Sequence, residues 1–276
     1  MSRRFTTLGY LCILVTLTGL LHAKHPAIMS WKEYSRHSYT WPYILDIGTP
    51  KGWLLYFGAK HTNDPTDPQI SEIERLWTQF HPDVAFNEGG NPPIEKTRDD
   101  AVSKYGEPGV VRYLAARDKV FVQSIDPPHA AEVAELLRNF PPGQVKLFFV
   151  LRQVSEYGRV YRGTANTLEE ELQRILPIFA ATPGLNGPPN SISELQAVYA
   201  RYFPNQGTFK DARPSWFDPV KSETFLNKIA RRSSEYRDRY MVGLLTQALK
   251  EGKGVFAVVG GSHVVMQERA IRAYLR

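Results

Sequence analysis

The sequence predicts an α/β fold, with a mostly parallel central sheet and flanking helices. Short apolar runs beside glycine, such as Trp53–Phe57 and Val255–Val259, are typical of strands buried in a parallel sheet. Strand-like and helix-like segments alternate along the chain, which is the rhythm of βαβ units. The 276 residues are enough to bury a substantial core. We therefore expect one α/β domain over residues 24–276, with an N-terminal hairpin and a helical insertion at about 160–235.

The N-terminal segment, residues 1–23, has the pattern of an export signal. Two arginines precede the mostly apolar stretch Leu8–Leu21, and the small residue Ala23 follows it. The stretch is short for a membrane span, and an uncleaved anchor is the alternative. The only cysteine, Cys12, lies here, so any metal must be held by histidines and carboxylates. We expect an exported protein of the bacterial periplasm or cell envelope, with no membrane span after signal cleavage.

The charged residues do not predict nucleic-acid binding. The formal net charge is +6, and no run of lysines and arginines with interleaved aromatic residues suggests a groove for a phosphate backbone. The expected partner is a small molecule or a peptide substrate.

The first predicted elements are a hairpin, Tyr43–Ile47 with Trp53–Phe57, followed by a helix and a strand. Asp67 and Pro68 fit the cap and the first position of that helix. Val84–Phe86 is then a short strand that leads into a polar, glycine-containing segment.

The middle of the chain continues the alternation. Glu107 and Pro108 indicate the start of a helix, and Val120–Ile125 has the composition of a third buried strand. Leu147–Val154 has helical spacing, although its apolar start also suits a strand, and we favour a helix.

The region from about 160 to 235 is predicted to be a helical insertion or a lid over the edge of the sheet. Capping-box sequences begin at Thr167 and Ser191, and Pro177 is expected to end or kink the first of these helices. A helix over Arg237–Lys250, the last strand and a C-terminal helix complete the expected order.

Two candidate functional residues, His61 and His263, follow buried strands in the same way. Each imidazole comes three residues after a glycine, Gly58 or Gly260, which we expect to turn the backbone sharply at the strand end. The carboxyl ends of parallel strands meet at one edge of a sheet, where ligands bind. An imidazole there serves as a general base or, when neutral, as a metal ligand.

Glu88 follows a third strand end and precedes two glycines, Gly89 and Gly90, which leave space near the backbone. With His61 and His263 it suits a divalent metal site of two imidazoles and one carboxylate. The same carboxylate could instead orient a catalytic imidazole, and the residues alone leave both roles open.

Arg237 lies on the apolar stripe of its predicted helix, in line with Met241 and Leu244. A guanidinium that faces the interior needs a carboxylate or a bound anion, because it keeps its proton. Arg237 is thus predicted either to stabilise an anion in catalysis or to form a structural ion pair. Asp126 and His129, at the end of the third strand, are second-rank candidates.

These residues, in this order, resemble the TraB/TIKI group of the superfamily that includes erythromycin-esterase-like and ChaN-like haem-binding proteins. The match consists of Gly58-x-x-His61 after a hairpin, Glu88, the helix Glu235–Met241 and Gly260-x-x-His263. The resemblance implies a shared His/Glu/Arg/His site. In TIKI-like members it implies a protease that uses manganese or cobalt, and in esterase-like members a metal-independent hydrolase with a histidine base. Ala59 stands where other members carry an acidic residue.

The expected function is therefore an exported hydrolase of peptide or ester bonds. His61, Glu88 and His263 would hold a divalent ion (Mn, Co or Zn) or an activated water, and Arg237 would stabilise the developing anion. The alternative is a non-enzymatic protein that binds haem or another small molecule in the same pocket.

Overall fold

The computed structural model describes residues 28–160 and 167–275 and has a five-stranded sheet in the order β1-β2-β5-β3-β4. The strands are β1 Tyr43–Gly48, β2 Trp53–Ala59, β3 Val84–Asn87, β4 Phe121–Ser124 and β5 Gly254–Gly260. β1 is antiparallel to β2, and the other three pairs are parallel. The predicted α/β fold, with its mostly parallel sheet and flanking helices, is confirmed. The predicted signal, residues 1–23, lies outside the described residues.

Nine α-helices are described in these two ranges. They are α1 Trp31–Tyr34, α2 Pro68–Phe80, α3 Arg98–Asp118, α4 His129–Leu137, α5 Pro142–Val160, α6 Leu168–Ala181, α7 Ile192–Tyr202, α8 Phe225–Lys250 and α9 Gly261–Tyr274. In this part of the chain, no helix combines the length and the hydrophobicity needed to cross a membrane.

The position of β5 at the centre of the sheet brings three strand ends together. Gly58 of β2 is opposite Val259, and Asn87 of β3 is opposite Val258. The backbone N–H of Glu88 continues this pairing by donating to the carbonyl of Val258 at 3.1 Å. The segments that follow β2, β3 and β5 therefore begin side by side.

Helices pack on both faces of the sheet. Residues of α2 and α3, including Ile73 and Leu114, bury one face, and residues of α8 and α9, including Met241 and Ile271, bury the other. Strands that are apolar on both faces need such cover, which explains their nearly continuous hydrophobic sequences.

The N-terminal helices follow their capping signals. Asp67 accepts a hydrogen bond from the backbone of Gln69 and so caps α2, with Pro68 at its first turn. In α3 the backbone leaves the helical conformation at Gly106, where φ is 61° and ψ is −141°. Glu107 and Pro108 therefore begin a second helical stretch, as predicted, but one that continues directly from an earlier helix.

The helices between β4 and β5 share a hydrophobic core of their own. It runs from Val133 in α4 to Ala230 in α8 and includes two short 3₁₀ turns, Phe209–Asp211 and Pro214–Phe217. The helical region thus begins well before residue 160. The helix favoured for Leu147–Val154 is present as part of α5.

Two boundaries in this region differ from the sequence-based expectation. Pro177 does not end its helix: α6 continues to Ala181, because Ile175, Leu176 and Phe179 bury its apolar face in the core and offset the lost backbone hydrogen bond. α8 begins at Phe225, twelve residues before the predicted start, with Thr224 as its cap.

Candidate functional site

The Glu88 carboxylate lies at the centre of the candidate site, directly after β3. Its Oε1 accepts a hydrogen bond from Nη2 of Arg237 at 2.5 Å, and its Oε2 accepts one from the backbone N–H of Gly260 at 2.6 Å. Nε2 of His263 is 3.5 Å from Oε1. Burial alone would raise the pKa of Glu88, but the charges of His263 and Arg237 outweigh it and hold that pKa well below its usual range.

His263 is held by a buried carboxylate on its other ring nitrogen. It lies in the first turn of α9, and its Nδ1 is 2.6 Å from Oδ1 of Asp238 in α8. Asp238 is fully buried. Burial alone would lower the pKa of His263, yet Asp238 and Glu88 raise it to about 10. The ring is therefore an imidazolium at neutral pH and donates from both nitrogens.

A buried chain of hydrogen bonds fixes Asp238. Gln267 Nε2 donates to Asp238 Oδ1 at 2.7 Å, and Tyr56 of β2 donates its hydroxyl to Gln267 Oε1 at 2.9 Å. All three side chains are buried within the packing of α8, α9 and the sheet. The orientation of His263 is therefore set by α8, α9 and β2 together.

His61 has a carboxylate partner as well, but it lies in a more exposed setting. Its Nδ1 is 3.6 Å from Oε2 of Glu107, a buried side chain that also accepts a hydrogen bond from the backbone N–H of Thr62. The side chain of His61 is 52% exposed. Its Nε2 faces Gly260, and the ring, when protonated, lowers the pKa of Glu88.

The glycines of the two Gly-x-x-His segments allow close approach rather than an unusual backbone conformation, and the expected turn is present only where β5 passes directly into α9. Gly58 remains within β2, and Gly260 has φ −57°, which any residue can adopt. A Cβ on Gly58 would be 2.8 Å from the carbonyl of Tyr43. A Cβ on Gly260 would be 3.0 Å from His61 Nε2 and 3.3 Å from Glu88 Oε2, so glycine keeps open the space between these two groups.

Arg237 connects the ends of β3 and β4. Besides Glu88, it binds Asp126 Oδ1 through Nε at 3.0 Å and through Nη2 at 2.5 Å. Asp126 Oδ2 in turn accepts the backbone N–H of Gly89 at 2.7 Å. The interior position and the carboxylate partner predicted for Arg237 are both present. Its Nη1 makes no hydrogen bond with any residue in the described ranges.

A cavity of about 240 Å³ adjoins these groups, between the sheet edge and the helical region. By the roughly 30 Å³ that one water molecule occupies in the liquid, it would hold about eight waters. The side chains around it that bear on its chemistry are Trp31, Glu88, Arg152, Arg237, Ser262 and His263. His61 does not line this cavity. Its ring approaches Glu88 next to the backbone of Gly260.

The structure therefore brings together all four residues singled out in the sequence, His61, Glu88, Arg237 and His263. Their catalytic and metal-binding roles stay predictions. Asp126 belongs to the site through Arg237. His129 does not, because it begins α4 and packs against aromatic rings of the helical core, Phe149 among them.

Sequence reasoning missed three charged residues: Glu107, Arg152 and Asp238. A signal existed for Asp238, which precedes Met241 and Val242 by three and four residues and so shares their buried helical face. Glu107 was identified only as the start of a helix. Arg152 lies in a helix that was recognised only by its apolar spacing.

A divalent metal ion does not fit the present arrangement of donors. Over residues 28–160 and 167–275, no group of three or more His, Cys, Asp and Glu side chains is placed to hold an ion. Both oxygens of Glu88 are engaged, by Arg237 and by the Gly260 N–H, and the guanidinium supplies the positive charge that an ion would bring. The orientation of His263 does suit a metal site. Asp238 holds its Nδ1 and so directs Nε2 towards Glu88, as carboxylates do for histidines that bind metals.

Comparisons with protein-family models, with curated proteins and with solved structures gave no match to this chain. The class that the fold and the site define is therefore an α/β protein with a His/Glu/Arg/His cluster at the carboxyl edge of its sheet.

Proposed function

We propose that this protein is a hydrolase of ester or peptide bonds that acts at the carboxyl edge of its sheet. The observation that carries the proposal is the convergence of two imidazoles, each beside a buried carboxylate, on Glu88 next to a cavity. Imidazoles held beside carboxylates in this way are typical of acid and base catalysis. The export expected from residues 1–23 would place this activity in the bacterial periplasm or envelope.

In this proposal His61 is the general base. The carboxylate of Glu107 faces its Nδ1, which favours the tautomer with the proton on Nδ1 and makes Nε2 the nitrogen that accepts a proton. Nε2 and Glu88 Oε2 lie on either side of the space that Gly260 keeps open. A water molecule held there would lose its proton to His61 as it attacks the substrate carbonyl.

Arg237 and His263 stabilise the oxyanion that forms when the carbonyl is attacked. Both are cationic and line the cavity, and Nη1 of Arg237 is a free donor with respect to the described residues. Donors that are fixed before the reaction need no reorganisation as charge develops. His263 would also protonate the leaving group, because it already carries its proton.

Hydrolysis by the purified protein should depend on the imidazole of His61. On a panel of chromogenic esters and fluorogenic peptides, we expect His61→Ala to lower kcat/KM by about 100-fold or more, the usual contribution of a positioned base. His81→Asn is the matched control, since His81 is an exposed imidazole before β3, at the opposite edge of the sheet. Equal activity of these two variants would remove His61 from the mechanism.

A metal-dependent version of this hydrolase is the second candidate. It is favoured by the way Asp238 orients His263, and it requires Arg237 to move away from Glu88. It predicts a stoichiometric Mn, Co or Zn ion in protein purified without chelators, and loss of that ion in a His61→Ala/His263→Ala double variant. It also predicts activity that chelation removes and the ion restores. Activity that is indifferent to chelation, in a protein free of bound ions, would leave the metal-independent version.

A non-enzymatic binder remains the alternative in the same pocket. A volume of about 240 Å³ is below the roughly 300–1,000 Å³ typical of pockets for drug-sized ligands, which supports a small ligand rather than haem. Haem titration followed by visible absorption tests it. A saturable band that His263→Ala abolishes, with no turnover of any substrate on the panel, would favour the binder.

A further inference from the structure

The guanidinium of Arg152 has no role in the scheme above and no partner in the described part of the chain. It lies in α5, lines the cavity, and makes neither a hydrogen bond nor an ion pair with a residue in the described ranges. Other partly buried arginines near the site are paired, as Arg237 is with Glu88 and Asp126. A guanidinium held against a cavity without a carboxylate is available to an anionic ligand.

A second donor without a partner belongs to another residue that lines the same cavity. Trp31 lines the cavity and is only 8% exposed. Its indole Nε1 is buried and has no hydrogen-bond partner among the described residues. Buried indole N–H groups ordinarily find an acceptor. An acceptor atom of a bound molecule would satisfy this one.

The N-terminus of α9 adds to this polarity. The helix has 14 residues, its cap is Gly260 without any side-chain hydrogen bond, and Ser262 in its first turn lines the cavity. The first backbone N–H groups of a helix lack partners within the helix and carry a partial positive charge. Residues that carry donors from three separate elements, α1, α5 and α9, therefore line this cavity.

The charges around Arg152 favour an anion beside its guanidinium. Burial and the neighbouring charge of Arg237 lower its pKa, and the nearby carboxylates, such as Glu132 and Glu88, do not offset this. Glu156 and Asp218 also line the cavity, but neither bonds to Arg152, and Asp218 accepts the backbone N–H of Val220 at 2.8 Å. These acids leave room for one anionic group rather than for a polyanion.

We propose that the cavity binds an oxyanionic group of the substrate, a carboxylate or a phosphate, and that Arg152 pairs with it. That the bound molecule is a substrate rests on the proposed hydrolase function, whereas the binding of an anion does not. The substrate class is thus a small ester or amide that carries one negative charge, held by Arg152 while its carbonyl lies near Arg237 and His263.

The test measures binding directly, by titration calorimetry of the purified protein. The probes are monomethyl succinate, inorganic phosphate and the neutral diester dimethyl succinate. We expect one of the anions to bind and the diester not to bind. The anion that binds identifies the chemical class, carboxylate or phosphate.

Three variants assign the binding to Arg152. Arg152→Met should weaken it by about tenfold or more, the loss expected for a charge-assisted hydrogen bond. Arg152→Lys keeps the charge without the planar fork, so it should give an intermediate affinity. Binding retained in this variant would show that the loss in Arg152→Met does not come from misfolding. Arg201→Met, which removes an exposed arginine of α7, should leave binding unchanged.

Equal binding by Arg152→Met and Arg201→Met would overturn the proposal, as would the failure of wild-type protein to bind either anion. Anion binding that depends on Arg152, in a protein that hydrolyses nothing on the panel, would instead leave this site standing and remove the proposed hydrolase function. The two failures are therefore distinguishable.

Discussion

His263 illustrates how two carboxylates control one side chain. Asp238 holds Nδ1, Glu88 lies near Nε2, and together they overcome the burial that would otherwise make the ring neutral. Gln267 fixes Asp238 in turn, and both side chains are fully buried away from the cavity. The charge of His263 therefore depends in part on residues that do not line the cavity.

Asp238→Asn should return the pKa of His263 from about 10 towards its ordinary value near 6.5, because the amide keeps the shape but loses the charge. A pH titration of the His263 ring by NMR, in chelator-treated protein, measures this. Asp99→Asn, at an exposed carboxylate of α3, is the control that should leave it unchanged. A His263 ring that titrates near pH 6.5 in the wild-type protein would contradict the assignment.

The same pair predicts how stability varies with pH. Because the pKa of His263 is higher in the folded than in the unfolded chain, its contribution to the free energy of unfolding is complete below about pH 6.5. That contribution is lost as the pH rises to about 10. Denaturant unfolding between pH 6 and pH 10 should show this decline in the wild-type protein, and a weaker one in Asp238→Asn. A free energy of unfolding that rises over this range would contradict it.

Gly260 is the residue at which the base and the carboxylate meet. Gly260→Ala would insert a methyl group 3.0 Å from His61 Nε2 and 3.3 Å from Glu88 Oε2. Since displacement of catalytic groups by about 1 Å is costly, we expect kcat/KM to fall on the order of 10- to 100-fold. Gly243→Ala is the control, because a Cβ there meets nothing within 4 Å. Similar kinetics for the two variants would show that the space is not used.

At the scale of elements, the kink in α3 connects a helix to the loop that carries His61. Gly106 has φ 61°, and a Cβ there would be 2.6 Å from the carbonyl of Thr62. The next residue, Glu107, then accepts the Thr62 N–H and faces His61. The break in the helix therefore brings Glu107 beneath the loop.

Gly106→Ala should destabilise the protein by about 1–3 kcal/mol or more, from the left-handed backbone and the clash with Thr62. It should also lower hydrolytic activity, because the loop shift moves His61. Thermal unfolding and kcat/KM together measure both effects. Gly48→Ala, with nothing within 4 Å of the added Cβ, is the control, and equal melting temperatures would argue against the strain at Gly106.

At the scale of the whole molecule, Arg237 of α8 joins the ends of two strands from the middle of the longest helix. Its partners Glu88 and Asp126 are mostly buried. Arg237→Met should lower the free energy of unfolding by about 3–5 kcal/mol, because it leaves two carboxylates unpaired. Arg239→Met, which removes a half-exposed arginine of the same helix, should cost about 1 kcal/mol or less. Equal destabilisation would mean that the ion pair is not structural.

The local elements could be predicted from the sequence wherever a short-range signal existed. The hairpin, the Asp67 cap and the capping box at Thr167 all depend on neighbours a few residues away, and the structure contains each of them. The convergence of His61, Glu88 and His263 followed from the parallel sheet, because strand ends share an edge, whereas the interior position of Arg237 followed from the apolar stripe of its helix. Partners such as Glu107 and Asp238 could not be assigned, since which buried carboxylate meets which imidazole depends on how α3 and α8 pack.

The strand that completes the sheet is also the last of the five described strands in sequence order. β2 and β3 do not pair with each other, because β5, residues Gly254–Gly260, lies between them. Until this segment has left the ribosome, the other strands lack their central partner and Glu88 lacks the Gly260 N–H and His263. Such long-range pairing is slow to form, so the sheet and the site would assemble only after β5 has been synthesised. Removal of the final strand and helix by a protease would therefore abolish the sheet and the site together.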